Sequence, residues 1–355
     1  MKKLLSIAIA AIMLLSFAAC GQNPDAVTSP DEETSSAAPS PEVPETITDS
    51  HENEFTLPMN LNRIIVLNSG VYEMICVLGK DDIVIGVNDS TNYPASAETK
   101  EKFGDWKEPN VEKILEAKPD AVIGYASYLS SGIAQQITDA GIPVIMLDFY
   151  VPSEIPGEVE ILGKMLDAEE RAEEFISDIE DIQKLVAERT KDVDPITVYY
   201  EGYTDYKSVG KGSGGTELME LANVKSLTAD QNVEYPEISD EWVLEANPQM
   251  IIKLVSSTKE IMGDKITDTA AVKGLYSSIV SRPGWNNIDA VKNGKMLILY
   301  SRIGTNPLGT AMAPLYIAKT AYPDKFEDID PDEYLGNMLK KYWGDELTGI
   351  WSYTE

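Results

Sequence analysis

Histidine is almost missing from this 355-residue chain, and the single one is His51. It lies in or beside a polar N-terminal stretch, so the folded part can form neither a histidine triad nor a histidine zinc site. Cysteine is nearly as scarce, with only Cys20 and Cys76. Cys76 falls on the apolar face of a predicted helix and reads as a core thiol, not a nucleophile. With so few soft ligands, a bare transition-metal carrier is disfavoured. Positive charge is the third shortage: 29 lysines and arginines face 59 aspartates and glutamates, a formal net charge of −30. Such a field repels nucleic acid and anionic lipid and excludes basic-patch functions. It does not forbid an anionic ligand, because salt screens remote charge beyond about 10 Å and a local Arg or Tyr cluster can dominate. A carboxylate-pair hydrolase stays compatible with composition, since acids are abundant.

Lys2 and Lys3 precede an apolar run from Leu4 to Leu15, and Phe17-Ala18-Ala19-Cys20-Gly21 follows. That is the layout of an export signal, and the run is shorter than the ~20 apolar residues a membrane-spanning helix needs. Small residues directly before a cysteine resemble the lipobox of bacterial lipoproteins, although Phe17 departs from the usual leucine. The resemblance implies cleavage before Cys20 and a diacylglycerol on its thiol. Residues 1–19 are therefore expected to be a lipoprotein signal peptide, and the mature protein to be extracytoplasmic and tethered to the membrane through Cys20. From 20 to 54 the chain is Ser, Thr, Pro, Ala, Asp and Glu with few large apolar residues, too few to offset ordering entropy. It reads as a disordered acidic tether. If Cys20 is lipidated, Cys76 has no partner for an intramolecular disulfide.

About 300 residues remain, more than one average domain. Strand candidates at 63–67 and 83–87 flank a helical spacing from Val71 to Leu78. A helix from Asn110 to Lys118, stopped by Pro119, leads into a strand at 121–123, and Ile142–Leu147 closes this half. The second half opens with a strand at 196–200. Its segment Val243–Ile252 matches Ile114–Ile123 position for position, sharing Leu, Glu, Ala, Pro and Ile, which marks an internal duplication. Asn293-Gly294 turns into a further strand at 295–300. Alternating strands and helices imply two α/β, Rossmann-like lobes with parallel-rich sheets and a ligand cleft between them. The expected spans are 55–156 for the N-terminal lobe, 157–192 for one long connecting helix, and 193–355 for the C-terminal lobe. Apolar residues from Ile161 to Val186 recur every three or four positions, which supports one helix of roughly 50 Å. A break near Gly163 and Asp167 would give two shorter helices instead.

This order of parts, with Asn110-Val111-Glu112, Lys118-Pro119-Asp120, Arg282-Pro283-Gly284-Trp285 and Ala290-Val291-Lys292-Asn293-Gly294-Lys295, resembles the iron(III)-siderophore and cobalamin binding proteins of ABC importers over residues 57–343. The resemblance implies a monomeric solute receptor, not an enzyme, that hands its ligand to a permease driven by a cytoplasmic ATPase. It further implies one surface glutamate per lobe for docking on permease arginines. Glu73 and Glu217 open helices in similar places and are the candidates, with Glu220 as a rival to the second. A metal chelate offers π surface and acidic oxygens, so aromatic faces and a cation are expected around it. The candidates are Tyr72, Trp106, Tyr125, Tyr128, Tyr150, Tyr203 and Trp285, with Tyr93 and Tyr206 beside them and Arg302 as the cation. No cofactor is expected. The ligand implied is a ferric siderophore, with a corrinoid or haem as the alternative; an exported hydrolase or an adhesive surface lipoprotein is the reading from a different class. Gly210–Gly215 lacks the Gly-Lys-Ser/Thr ending of a phosphate loop and reads as a glycine-rich turn near the cleft.

Overall fold

The computed structural model describes residues 45–344 and 346–355. The expected signal peptide, Cys20 and residues 20–44 of the expected tether lie outside them. Residues 45–54 correct the tether boundary. Strand β1 (Thr46–Thr48) pairs antiparallel with β2 (Glu54–Thr56). Ile47 is buried, and so is Asp49, whose carboxylate accepts the backbone N–H groups of His51, Asn53 and Met146. The buried Ile47 and the Asp49-centred turn dock this hairpin on the lobe, and the Ser50 hydroxyl donates to Glu158. His51 is exposed in the turn.

The N-terminal lobe runs β3 (Ile64–Val66), α1 (Ser69–Val77), β4 (Val84–Val87), β5 (Glu101–Lys102), α2 (Val111–Ala117), β6 (Ala121–Tyr125), α3 (Ser131–Asp139) and β7 (Val144–Leu147). Its sheet is parallel throughout, in the order β5-β4-β3-β6-β7. β3 and β7 are buried along their whole length and β6 all but its last residue, as expected of a sheet covered on both faces.

The single connecting helix is corrected to two. Helix α4 (Ile155–Met165) ends, Asp167 takes a left-handed φ of 49°, and α5 (Glu169–Thr190) begins. Gly163 explains the fold-back: a Cβ there would stand 2.7 Å from the Ala172 Cβ, so the missing side chain lets α5 approach α4. The long element is thus α5 alone, 22 residues and about 33 Å, with Phe175, Ile179, Ile182 and Val186 buried.

The C-terminal lobe repeats the plan with β8 (Thr197–Glu201), α6 (Gly214–Leu221), β9 (Lys225–Ser226), α7 (Asp240–Ala246), β10 (Met250–Val255), α8 (Ala270–Val280), α9 (Asp289–Lys292) and β11 (Met296–Tyr300). Helices α10 (Ser301–Thr305), α11 (Pro307–Ala321) and α12 (Pro331–Trp343) follow, then β12 (Ser352–Tyr353), which adds an antiparallel edge. The sheet order is β12-β11-β10-β8-β9. Strands β4-β3-β6-β7 of the first sheet and β9-β8-β10-β11 of the second therefore stand in the same order. The duplicated segments agree in detail. Asn110 and Ser239 cap α2 and α7 by accepting the Lys113 and Trp242 N–H, and both helices end on a left-handed residue, Lys118 (φ 47°) or Asn247 (φ 44°), just before a proline.

Helix α11 is buried nearly all round and packs against α1 of one lobe, α6 of the other and α5 of the linker. Pro307 starts it without loss, since a first-turn N–H has no intrahelical partner. Among the described residues no helix is long and apolar enough to cross a membrane.

Candidate functional site

A cavity of about 530 Å³ opens between the lobes at the carboxyl ends of their strands. That is where open α/β sheets place ligands, because strand ends and helix starts converge there. Asn68 and Asn88 follow β3 and β4, Tyr125 ends β6, and Tyr200 and Gly202 stand at the end of β8. Gly70 and Gly214 bring in the starts of α1 and α6, and Thr305 and Asn306 the junction of α10 and α11.

The N-terminal wall is an aromatic cluster. Trp106 lies 5.5 Å from Tyr125 and 5.0 Å from Tyr128, Tyr125 lies 4.8 Å from Tyr128 and 6.0 Å from Tyr150, and most pairs meet edge to face. The C-terminal lobe adds Tyr200, Tyr203 and Tyr235, making six tyrosines and one tryptophan on the wall. Burial pushes the phenols of Tyr125, Tyr150 and Tyr200 above the ordinary tyrosine range. They stay protonated at neutral pH and offer O–H donors, not phenolates. Among the described residues that line the cavity, Lys207 is the charged one, Asp148 and Glu234 stand near enough to add to burial in pushing up the Tyr128 and Tyr150 phenols, and the Lys107 ammonium sits 4.5 Å from the Trp106 ring and 5.2 Å from that of Tyr128. Among the described residues no group of three or more His, Cys, Asp or Glu could hold a metal ion.

The loop 202–207 on the C-terminal wall is anchored by a buried ion cluster. Glu201 and Lys253 are each 1% exposed and pair at 2.9 Å, and Arg282 grips Glu201 with two bonds of 2.7 and 3.0 Å. Glu201 also accepts the Tyr206 N–H. Burial pushes the Glu201 carboxyl up, but Arg282 and Lys253 outweigh it and hold it below the usual carboxylate range.

Trp106, Tyr125, Tyr128, Tyr150 and Tyr203 stand on the wall, and three other expected residues do not. Tyr72 is fully buried inside α1, its hydroxyl donating to Asp81 at 2.7 Å. Trp285 is fully buried, donates from Nε1 to Asp240 at 2.6 Å, and carries the Arg282 guanidinium 4.6 Å over its ring, as does Tyr206. Arg302 faces away from the cavity. It stacks 4.1 Å over Tyr93 and donates to Asn92 at 2.6 Å. The reason is helical phase: β11 runs straight into α10, and two residues later, roughly 200° round the helix, Gly304 reaches the cavity instead. Sequence reasoning missed Lys207, Tyr200, Tyr235 and Asn306. Only Tyr200 carried a signal, as the tyrosine nearest the end of a predicted strand.

The docking glutamates also move. Glu73 is 2% exposed and is not a surface residue; its Oε2 accepts from Asn306 Nδ2 at 2.8 Å and its Oε1 accepts the Leu308 N–H at 3.0 Å. Burial pushes its carboxyl up, opposed by Arg302 and these two bonds. Glu217 is half-buried and accepts the Ser153 N–H at 3.0 Å and hydroxyl at 3.2 Å. Glu220 is exposed.

A model of the periplasmic binding protein family matches residues 64–302. The uncharacterised ABC transporter substrate-binding lipoprotein YvrC of Bacillus subtilis is 29% identical over 333 residues, 90% of this chain and 96% of its own. The molybdate-binding protein MolA of Haemophilus influenzae is 25% identical over 332 residues, 84% of this chain and 90% of its own. The structure of MolA bound to molybdate matches the fold with a TM-score of 0.70 at 22% identity, over 86% of this chain and 99% of that one. The TroA-like periplasmic binding protein FepB from Veillonella parvula does so with a TM-score of 0.73 at 23% identity, over 88% and 99%. The chain belongs to the periplasmic binding protein family and is a substrate-binding protein of the ABC-importer class, not an enzyme.

Proposed function

We propose that the protein, anchored outside the cytoplasm through Cys20, captures an iron(III) chelate of the siderophore type and delivers it to an importer permease. The observation that carries this reading is the wall itself: six protonated tyrosines and a tryptophan, and among the described residues no group of three or more His, Cys, Asp or Glu that could hold a metal ion. Such a wall offers ring faces and O–H donors to an organic shell around a metal. The charge pattern supports an anionic chelate, because Lys207 lines the cavity and the Lys107 ammonium stands by its Trp106 ring in a chain of net charge −30. For the permease contact we assign exposed Glu220 on α6, since Glu73 and Glu217 are engaged within the protein.

MolA raises a second reading, a bare oxyanion at the starts of α1 and α6. Size argues against it: a cavity of about 530 Å³ is in the range of sites that enclose a whole organic ligand, more than four oxygens fill. The test is quenching of intrinsic fluorescence by ferric catecholates, ferric hydroxamates, cobalamin, haem and molybdate. Saturable quenching by a ferric chelate alone supports the reading; tight binding of cobalamin, haem or molybdate with no response to any chelate overturns it.

A further inference from the structure

The two helices that open onto the cavity carry the same short pattern, Gly70-Val71-Tyr72-Glu73 at α1 and Gly214-Gly215-Thr216-Glu217 at α6. Each meets the opposite side of the lobe boundary in the same way. A Cβ on Gly70 would stand 3.3 Å from the Pro307 ring, and Glu73 accepts the N–H of Leu308, the residue after that proline. A Cβ on Gly214 would stand 2.5 Å from the Tyr150 carbonyl oxygen and 3.4 Å from the Pro152 ring, and Glu217 accepts the N–H of Ser153, again the residue after the proline. A glycine admits the proline, and a glutamate one turn on holds the next amide. Both clasps border the cavity, through Asn306 on one side and Tyr150 on the other.

We propose that Glu73 and Glu217 are a reciprocal pair of positioning residues, duplicated with the lobes, which hold the two walls of the cleft in the ligand-gripping arrangement. Each acts through the backbone it grips and not by touching ligand. The acceptor is a carboxyl oxygen and the donor an amide whose backbone a preceding proline stiffens, so each bond is directional. Both clasps cross from one lobe to the other. Opening the cleft to release ligand therefore breaks both.

The test needs no knowledge of the ligand, so its failure is separable from failure of the function reading. Spin labels are placed at Gln136→Cys on α3 and Ser277→Cys on α8, both exposed, in the full chain carrying Cys20→Ser, where the remaining natural cysteine, Cys76, is buried. Pulsed dipolar spectroscopy then gives the inter-lobe distance. The parent is expected to show one narrow distribution, and Glu73→Ala with Glu217→Ala to add a longer-distance population. Glu73→Gln with Glu217→Gln keeps an acceptor for each amide and is expected to restore most of the narrow population, which a general loss of stability would not do. If Glu73→Ala fails to fold, Glu217→Ala alone carries the test, since its side chain is only half-buried. An unchanged distribution in the Ala variants, or Gln variants as open as the Ala variants, overturns the proposal.

Discussion

Glu73 and Glu217 do the same job at different depths. Glu73 is shut between Asn306, Leu308 and the field of Arg302, whereas Glu217 is half-buried on one backbone amide and one hydroxyl. The duplication kept the geometry of the contact and changed its environment. A buried carboxylate is costly to remove, because its donors are left without water or partner; a half-buried one is replaced by solvent. The α1 side of the boundary is therefore the stiff one, and the α6 side is where the cleft yields first.

The largest expected effect comes from Glu73→Ala. It strands the Asn306 amide and the Leu308 N–H and should cost about 2–4 kcal/mol in urea unfolding, the scale of unsatisfied buried groups. Gly214→Ala comes next. Its Cβ would stand 2.5 Å from the Tyr150 oxygen, so the backbone must shift, and a loss of about 1–3 kcal/mol is expected, whereas Gly70→Ala, at 3.3 Å, should lose less. Equal losses at the two glycines would mean that the Tyr150 backbone yields as readily as the Pro307 ring. Glu217→Ala should cost about 0.5–1.5 kcal/mol, the net value of a partly solvated hydrogen bond.

The smallest effect is in the pH profile, and it sets Glu73 against a third glutamate. Burial holds the Glu73 carboxyl above its unfolded value, so the native state binds its proton longer. Its contribution is complete below the unfolded value of about 4.3 and is lost as pH rises through the raised one. Glu201 is held low, so its contribution is present above about 4.3 and is lost as pH falls through the lowered value. Glu73→Gln should therefore remove a decline in stability above about pH 4.3, and disruption of the Glu201 cluster by Arg282→Leu should remove a decline on acidification. Urea midpoints across pH 3–7 for the two variants check the opposite signs.

Much of the fold was legible because it rests on local chemistry. The duplicated Leu-Glu-Ala-x-Pro segments stop helices α2 and α7 at the same proline, and β-branched runs mark the buried strands. The linker was misjudged because apolar spacing continues across residues 166–168 while the break depends on Asp167 adopting a left-handed conformation and on Gly163 admitting Ala172. The site was legible on its aromatic side, where Tyr125 and Tyr128 follow a recognisable strand. It was not legible at Arg302, Tyr72 and Trp285, since the phase of a short helix and the depth of a ring are set by packing partners more than 20 residues away, such as Trp343 beside Arg302 and Asp240 under Trp285. Glu73 looked like a surface acid because a carboxylate at a helix start usually is one. Its donors lie more than 230 residues downstream.

On the proposed function the aromatic cleft binds a ferric chelate at one site. Calorimetric titration of the parent and of a Trp106→Ala, Tyr125→Ala double variant with ferric tris-catecholate and a neutral ferric trihydroxamate tests it most directly. The parent is expected to show one site per chain for at least one chelate, the double variant to lose about 10–100-fold in affinity from two removed ring contacts, and both proteins to keep native unfolding behaviour. Undiminished binding by a folded double variant, or no binding of either chelate by the parent, would contradict it.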